Sequence, residues 1–154
     1  MDVFTKKKRS EVMSKIRCKD TKPEFFVRSA LHRLGYRFRL HDPKLPGKPD
    51  LVFKKYKALI FVHGCFWHGH ECHLFKWPKS RENFWRTKIS KNRDNDKKAI
   101  AALQALKWRM LIVWECAIKG KERGNPEQIV QEIEDWLVSG EAYHFIRGQM
   151  NGTG

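Results

Sequence analysis

The sequence lacks any apolar run near the roughly 20 residues that a membrane-spanning helix needs, and its basic start lacks the apolar stretch of a signal peptide. These absences favour a soluble intracellular protein. Internal repeats and low-complexity segments are absent as well. At 154 residues, the chain is long enough for one domain with a real core and too short for two.

Acidic side chains are scarce, with 17 Asp and Glu against 32 Lys and Arg and a net charge of +15. Residues 1–50 carry 14 basic and 6 acidic side chains, residues 51–120 carry 15 and 5, and residues 121–154 carry 3 and 6. The positive excess therefore lies in the first 120 residues. Such a field favours a polyanion, most simply nucleic acid, with a merely soluble basic protein as the plain alternative.

Cysteine is also rare, and four cysteines beside clustered histidines, without an export signal, indicate metal binding rather than disulfides. Residues 58–73, ALIFVHGCFWHGHECH, begin as an apolar run typical of a strand buried on both faces. The run breaks at Gly64 and continues into a segment rich in His and Cys. A rigid strand that ends in such a segment is a common way to present a site.

Four of these side chains form a candidate tetrahedral zinc site, because three Cys and one His are a recurring structural set: Cys65, His70, Cys72 and Cys116. The local spacing is not that of a standard zinc finger, and surface histidines with reduced, buried cysteines are the alternative. Cys116 follows a second predicted buried strand, so zinc would connect the loop to the sheet if the two strands are neighbours. Cys18 lies apart among basic residues and is interpreted as a free thiol.

The remaining pattern predicts a small α/β domain with a mixed sheet that spans residues 1–154. Thr21 and Glu24 have capping-box spacing with Pro23 in the first turn, and Gly35 is the predicted C-cap of that helix. Predicted strands cover residues 36–40, 50–53, 58–62 and 110–114, and the second and third of these form a hairpin.

Further helices are predicted from near Arg81 with Ser80 as the cap, over residues 94–106, and from Pro126 onward. Residues 1–9 are predicted to be a basic, mobile arm and residues 10–17 a short helix. Residues 139–154 are interpreted as a weakly structured tail.

A phosphodiesterase site needs an activated water and charge stabilisation, both of which a carboxylate-held magnesium ion supplies. Asp50 begins one strand of the predicted hairpin and would lie beside His63 at the end of the other, although a plain turn residue is the alternative. His63 and His68 are candidates for proton transfer, since neutral imidazole accepts a proton near physiological pH. His73 is left unassigned.

Phe66 and Trp67 stand on a polar loop and have no evident local core to fill, which favours a wedge between DNA base steps. Trp85 is a third candidate, because residues 76–98 interleave nine Lys and Arg with Trp77, Phe84 and Trp85. Core packing is the alternative for each aromatic side chain.

Three stretches carry a resemblance to a known family: LPGKPDLV at residues 45–52, IFVHGCFWH at 60–68 with His70 and Cys72, and LIVWEC at 111–116. They closely resemble the very-short-patch repair (Vsr) endonucleases, collinearly from about Arg9 to Trp136. The resemblance implies a restriction-endonuclease-like fold of the PD-(D/E)xK superfamily: a mixed β-sheet flanked by helices, with a structural zinc site.

The resemblance also implies a function. The family nicks one DNA strand 5′ to the thymine of a T:G mismatch that arises when 5-methylcytosine deaminates. It further implies a monomer in the bacterial cytoplasm, associated with the nucleoid, that acts on double-stranded DNA beside a cytosine-5 methyltransferase and mismatch-repair factors.

Carried over by position, Asp50 binds one or two Mg²⁺ ions together with the backbone carbonyl of Val62, where the best-known pattern has threonine. His68 is the general base or positions the water, while His63 and Glu24 support the metal-bound waters. The family zinc ligands fall on Cys65, His70, Cys72 and Cys116. The resemblance assigns intercalation between DNA bases to Phe66, Trp67, Trp85 and Met13. It also implies an accessory role near the site, for which Asp96 matches the family position better than Asp94.

Two other functions remain open from the residues alone. One is a restriction-like enzyme that cuts both strands of matched DNA, and the other is a zinc-bearing DNA-binding module without catalysis. The latter leaves Asp50, His63 and His68 unexplained, because a structural zinc site does not require them. Glu24 likewise has two interpretations, as a capping-box residue and as part of the site.

Overall fold

The computed structural model describes residues 21–149 of the chain. Within them the elements are α1 (Lys22–Arg33), β1 (Arg39–Leu40), β2 (Leu51–Phe53), a 3₁₀ turn (Lys54–Tyr56), β3 (Ala58–His63), α2 (Glu82–Ala105), β4 (Arg109–Trp114), α3 (Glu115–Ile118), α4 (Pro126–Ser139) and β5 (Tyr143–Ile146). The predicted arm, the helix at residues 10–17, Met13 and Cys18 lie outside the described residues.

The five strands form one mixed sheet in chain order. β1, β2 and β3 pair antiparallel, whereas β3, β4 and β5 run parallel. The parallel pair aligns His63 with Trp114, so the chain leaves both strands at the same edge of the sheet. The strands before Cys65 and Cys116 are therefore neighbours, which is the condition for a metal ion to connect the loop to the sheet, and the predicted mixed sheet is confirmed.

Helices cover both faces of the sheet, and alternate residues of β3 supply the two cores. Ala58, Ile60 and Val62 belong to a core that also takes in buried side chains of α1 and α4. Leu59 and Phe61 belong to a second core with Leu103 of α2. This alternation explains why β3 reads as one continuous apolar run, since a strand covered on both faces has no solvent side.

The predicted hairpin of β2 and β3 is confirmed, with Leu51 opposite Ile60 and Phe53 opposite Ala58. The 3₁₀ turn closes at Lys57, which has a φ of 51°. Asp50 directly precedes β2, and this register sets it beside the last residues of β3.

The predicted start of α1 is confirmed, because the Thr21 side chain accepts a hydrogen bond from the Glu24 amide at 3.3 Å. The predicted cap at its other end was wrong by one residue. The helix ends at Arg33, Leu34 is the C-cap, and Gly35 follows with a φ of 95°. The Gly35 and Tyr36 amides bond the carbonyls of His32 and Leu31, the pattern of a Schellman motif.

Three further predictions need correction. Ser80 does not cap a helix, since α2 begins at Glu82 after Arg81 in a left-handed conformation. The two predicted helices in this region are one helix of 24 residues. The predicted strand over residues 36–40 shortens to Arg39–Leu40.

The interpretation of the chain after Ser139 as a weakly structured tail is wrong for Tyr143–Ile146, which form β5. This edge strand buries only Ile146, so the sequence offers little alternation to reveal it. Among residues 21–149, no helix is long and apolar enough to cross a membrane.

Candidate functional site

A cleft of about 670 Å³ lies between the sheet and α2, near the end of β3. Its walls carry acidic and imidazole side chains on an otherwise basic protein. The polar residues that line it are His41, Lys48, Asp50, His63, His68, Asn95 and Asp96. The sequence-predicted Asp50, His63 and His68 therefore share one cleft.

Asp50 is 6% exposed, and its Oδ2 accepts a hydrogen bond from the Val62 amide at 2.7 Å. Burial raises the pKa of Asp50 to about 8, the Val62 hydrogen bond opposes that rise, and the nearby Glu24 carboxylate adds to it. Burial thus destabilises the ionised form of Asp50, and a nearby cation would stabilise that form. Val62 itself lines the cleft.

Glu24 reaches the same place from the first turn of α1 and is fully buried. Its Oε2 lies 2.8 Å from Arg28 Nη1 and 2.8 Å from His41 Nε2. His41 Nε2 is in turn 3.8 Å from Asp50 Oδ1. The amide of Glu24 thus bonds the helix cap Thr21, while its side chain contacts His41, a residue of the cleft wall.

These carboxylates fit a divalent cation. The ligand atoms of Glu24, His41 and Asp50 all lie within 4.8 Å of one another. Two buried carboxylates this close repel each other when both are ionised, and a cation between them removes that cost. Sequence reasoning missed His41, which comes near Asp50 only through tertiary structure, and Arg28, which contacts Glu24 one helical turn away.

His63 and His68 stack with ring centroids 3.8 Å apart and nearly parallel planes. His68 Nδ1 makes a short hydrogen bond to Asp96 Oδ2 of α2. Burial lowers the pKa of His63 well below its usual value, and His68 and His70 lower it further, so its ring is neutral. His63 Nδ1 is buried without a hydrogen-bond partner among the described residues.

The four predicted zinc ligands converge beside this cleft. The ligand atoms of Cys65, His70, Cys72 and Cys116 lie within 4.8 Å of one another. Cys65 and Cys116 are fully buried, and they follow the neighbouring parallel strands β3 and β4, respectively. Three thiols and an imidazole in this arrangement suit a closed, structural zinc site.

Hydrogen bonds around the cluster favour the thiolate of Cys116, whereas the hydrogen bond with Cys116, together with burial, raises the pKa of Cys65, and burial raises the pKa of Cys72. The amide of Cys116 donates to Cys65 Sγ at 3.3 Å, and the amide of Gly148 donates to Cys116 Sγ at 3.2 Å. The hydrogen bond from Cys65 lowers the pKa of Cys116 to about 4 despite its burial, with further contributions from His70 and Gly148. The His70 ring stacks on Trp114 with centroids 4.0 Å apart, which fixes its orientation.

Gly148 is required for this close approach. A Cβ at that position would lie 2.5 Å from the Cys116 carbonyl oxygen and 2.9 Å from that of Glu122. The unassigned His73 pairs with Glu122 at 2.8 Å next to the cluster. The segment after β5 thereby supports the cysteine cluster, a role that sequence reasoning did not find.

Phe66, Trp67 and Trp85 form a partly buried aromatic cluster. The centroid distances are 5.4 Å for Phe66–Trp67, 5.4 Å for Phe66–Trp85 and 5.7 Å for Trp67–Trp85. The expectation that Phe66 and Trp67 have no local core to fill was therefore wrong, since they pack on each other and on Trp85 of α2. Asn92 Nδ2 donates to the Trp67 carbonyl at 2.9 Å and ties this loop to the helix.

The outer surface of α2 is strongly basic. Its exposed cations include Arg86, Lys88, Lys91, Arg93, Lys97 and Lys98. Arg86 stacks on Trp77 at 4.2 Å, and Arg81 stacks on Phe84 at 4.2 Å, beside the aromatic cluster. A polyanion would meet aromatic faces and cations together here.

Fold and site together define a basic, mixed α/β protein with three groups of metal-ligand side chains among the described residues. One group is rich in thiols, and the other two combine carboxylates with imidazoles: His63, His68 and Asp96, and Glu24, His41 and Asp50. The comparisons with known proteins agree with this class.

A family model described as DNA mismatch endonuclease Vsr matches residues 1–74. The DNA mismatch endonuclease Vsr of Escherichia coli (strain K12) is 46% identical over 136 residues, 88% of this chain and 87% of that protein. The type II nicking enzyme V.NmeAIP of Neisseria meningitidis is 46% identical over 136 residues, 87% of this chain and 97% of its own. The type II nicking enzyme V.XorIIP of Xanthomonas oryzae is 49% identical over 117 residues, 76% and 86% of the two chains. The chain belongs to the Vsr family, and the predicted resemblance is confirmed.

Proposed function

We propose that this protein is a magnesium-dependent DNA endonuclease that nicks one strand 5′ to the thymine of a T:G mismatch. The observation that carries the proposal is the cleft that holds Asp50, His63, His68 and Asp96 beside a basic, aromatic surface. Relatives of high identity over most of the chain are named a DNA mismatch endonuclease and type II nicking enzymes. These names support DNA as the substrate and a single-strand cut as the reaction.

Asp50 and the Val62 carbonyl would hold magnesium, with Glu24 close enough to support its waters. When bound, the ion would stabilise charge on the phosphate and lower the pKa of a coordinated water. The Val62 amide keeps Asp50 in place through its 2.7 Å hydrogen bond. The basic protein surface around the cleft favours the approach of the DNA backbone.

His68 is the proposed general base. Its Nδ1 faces Asp96, and if that nitrogen carries the proton, the lone pair of the neutral ring is on Nε2. Stacking on the neutral His63 holds the His68 ring in position. Asp96 acts through His68, as a positioning residue.

Mismatch recognition is assigned to the aromatic cluster of Phe66, Trp67 and Trp85, with Met13 from the segment outside the described residues. A T:G pair stacks less well than a Watson–Crick pair, so inserting a side chain there costs less unstacking energy. Zinc on Cys65, His70, Cys72 and Cys116 would keep the loop that bears Phe66 and Trp67 in a fixed position. Recognition and cleavage would then share one rigid loop.

The wider context follows the same proposal. The fold is assigned to the PD-(D/E)xK superfamily, and a single domain acts as a monomer because an asymmetric lesion requires one site. Mismatches left by deaminated 5-methylcytosine would be its substrates. A cytosine-5 methyltransferase and mismatch-repair factors would be its functional partners, in the cytoplasm at the nucleoid.

The proposal is tested with Asp50→Asn, which removes a carboxylate oxygen at almost constant volume. We expect T:G duplex binding to stay within about threefold of wild type, while the single-turnover nicking rate with Mg²⁺ falls at least about a hundredfold. Asp135→Asn on the exposed face of α4 is the matched control and should nick normally. Undiminished nicking by Asp50→Asn would overturn the assignment.

A further inference from the structure

His41 lines the cleft, and the proposed mechanism above assigns it no role. We propose that His41 Nε2 is a direct ligand of the divalent cation, together with Glu24 and Asp50, and that the cleft therefore prefers Mn²⁺ over Mg²⁺. The inference rests on the proposed metal role of Asp50 and refines it. It concerns which ion this chain selects, rather than whether an ion is bound.

The geometry places one nitrogen between two carboxylates. His41 Nε2 is 2.8 Å from Glu24 Oε2 and 3.8 Å from Asp50 Oδ1. The three ligand atoms lie within 4.8 Å of one another, the separation expected for ligands that share one ion. Glu24 is fully buried, while the His41 side chain, which lines the cleft, is 18% exposed.

The backbone holds His41 in this position. Its amide donates to the Asp50 carbonyl at 3.1 Å, directly after the pairing of Leu40 with Leu51. Its φ of 48° lies in the left-handed region, which non-glycine residues seldom adopt. A loop residue fixed in a costly conformation toward two buried carboxylates is consistent with a functional constraint.

A purely structural role for His41 is the competing explanation, in which it only shares Glu24 with Arg28. Arg28 already contacts Glu24 Oε2 at 2.8 Å, however, so that carboxylate does not depend on His41 for a partner. His63, which lines the same cleft, also keeps a buried Nδ1 without a hydrogen-bond partner among residues 21–149. Both observations favour a further ligand in the cleft.

The donor set determines the expected selectivity. Mg²⁺ prefers oxygen ligands and retains its waters, whereas imidazole raises affinity for transition metals. Two carboxylates and one imidazole therefore suit Mn²⁺ better than Mg²⁺. Both ions accept the remaining oxygen ligands that water or a phosphate would supply.

The test measures Mn²⁺ binding to the zinc-loaded full chain without DNA, by electron paramagnetic resonance of free Mn²⁺, with Mg²⁺ as a competitor. We expect tighter binding of Mn²⁺ than of Mg²⁺. His41→Gln should weaken Mn²⁺ binding by about tenfold or more and Mg²⁺ binding by a smaller factor. His144→Gln is the matched control, because His144 also contacts a carboxylate at 2.8 Å, that of Glu132.

Pulsed spectroscopy of bound Mn²⁺ supplies a direct readout. Nitrogen modulation from a coordinated imidazole should be present in wild type and His144→Gln and absent or strongly reduced in His41→Gln. Wild-type protein without this modulation, or unchanged Mn²⁺ affinity in His41→Gln, would overturn the inference. Absence of this modulation from the wild-type spectrum refutes the inference even if the variant folds poorly.

Failure of this inference can be distinguished from failure of the proposed function. Normal Mg²⁺-dependent nicking with no imidazole on Mn²⁺ would refute the His41 ligand and leave the nickase proposal standing. Imidazole ligation in a protein that never nicks T:G duplexes would support the His41 ligand and refute the nickase proposal.

Discussion

Each imidazole in the cleft outside the cysteine cluster has a distinct contact. His68 pairs with Asp96, His41 lies on Glu24, and the neutral His63 stacks on His68. These contacts join residues from α1, the loop before β2, the loop between β3 and α2, and α2 itself. A histidine held by a carboxylate has a fixed tautomer and orientation, which general-base catalysis requires.

Asp96→Asn tests this arrangement at the level of one residue. We expect the single-turnover nicking rate to fall by about a hundredfold, because an amide no longer fixes the tautomer of His68. Binding of the T:G duplex should be nearly unchanged, and the pH profile of the rate should shift. A uniform loss of binding and thermal stability with an unaltered pH profile would instead indicate a structural role.

Sequence reasoning found the residues that sit inside contiguous motifs and missed those brought in by loops. Asp50, His63, His68 and the cysteine cluster lie directly beside predictable buried strands, so their convergence follows from strand pairing. His41 reaches Asp50 through a left-handed backbone conformation and a single backbone hydrogen bond. Nothing in the local pattern of an unpaired loop reveals such a contact.

Among the elements, the loop between β3 and α2 links the two sites. It carries three of the four cysteine-cluster residues, the aromatic pair and His68, and α2 packs along it. Gly69 in this loop has a φ of 60°, and a Cβ there would lie 2.7 Å from Ile89. The loop is thus fitted closely to α2.

Cys116→Ser tests whether zinc holds this loop to the sheet. The variant should lose the one zinc per chain measured by elemental analysis, and its melting temperature should fall by about 5 °C or more. Cys18→Ser, which alters the predicted free thiol, should keep its zinc and its stability. Full zinc content in Cys116→Ser would contradict the assigned ligand set.

Trp67→Ala tests the aromatic cluster as the mismatch sensor. We expect the ratio of nicking rates on T:G and fully paired duplexes to fall by about tenfold, because the unstacked state loses its stacking partner. Phe145→Ala, at an aromatic residue 51% exposed on β5, is the control and should keep the wild-type ratio. Unchanged discrimination in Trp67→Ala would assign recognition to other residues.

Two elements escaped prediction for physical reasons. The continuity of α2 was missed at residues 90–93, which are polar on all sides, so no apolar period joins the two predicted helices. Tertiary contacts hold the helix instead, through Asn92 on the Trp67 carbonyl and Asp96 on His68. β5 is an edge strand with one buried side chain, and pairing with β4 defines it.

At the scale of the whole molecule, the two faces of the sheet differ: one is covered by an apolar core, and the other carries the cleft and a basic surface. α1 and α4 cover one face, and the second face, with α2, carries the cleft and the exposed cations. The net charge of +15 was sufficient to predict a polyanionic partner. Charge alone does not distinguish a nickase from an enzyme that cuts both strands or from a binding module, so the central claim depends on the reaction itself.

The most direct measurement is cleavage of duplexes labelled on each strand, with Mg²⁺, in two matched sets. One set carries a T:G pair in varied flanking contexts, and the other carries the fully paired counterparts. The account predicts a single nick, confined to the thymine strand and 5′ to the thymine, in the mismatched set alone. Cutting of both strands in paired DNA, or no cutting of either set, would contradict it.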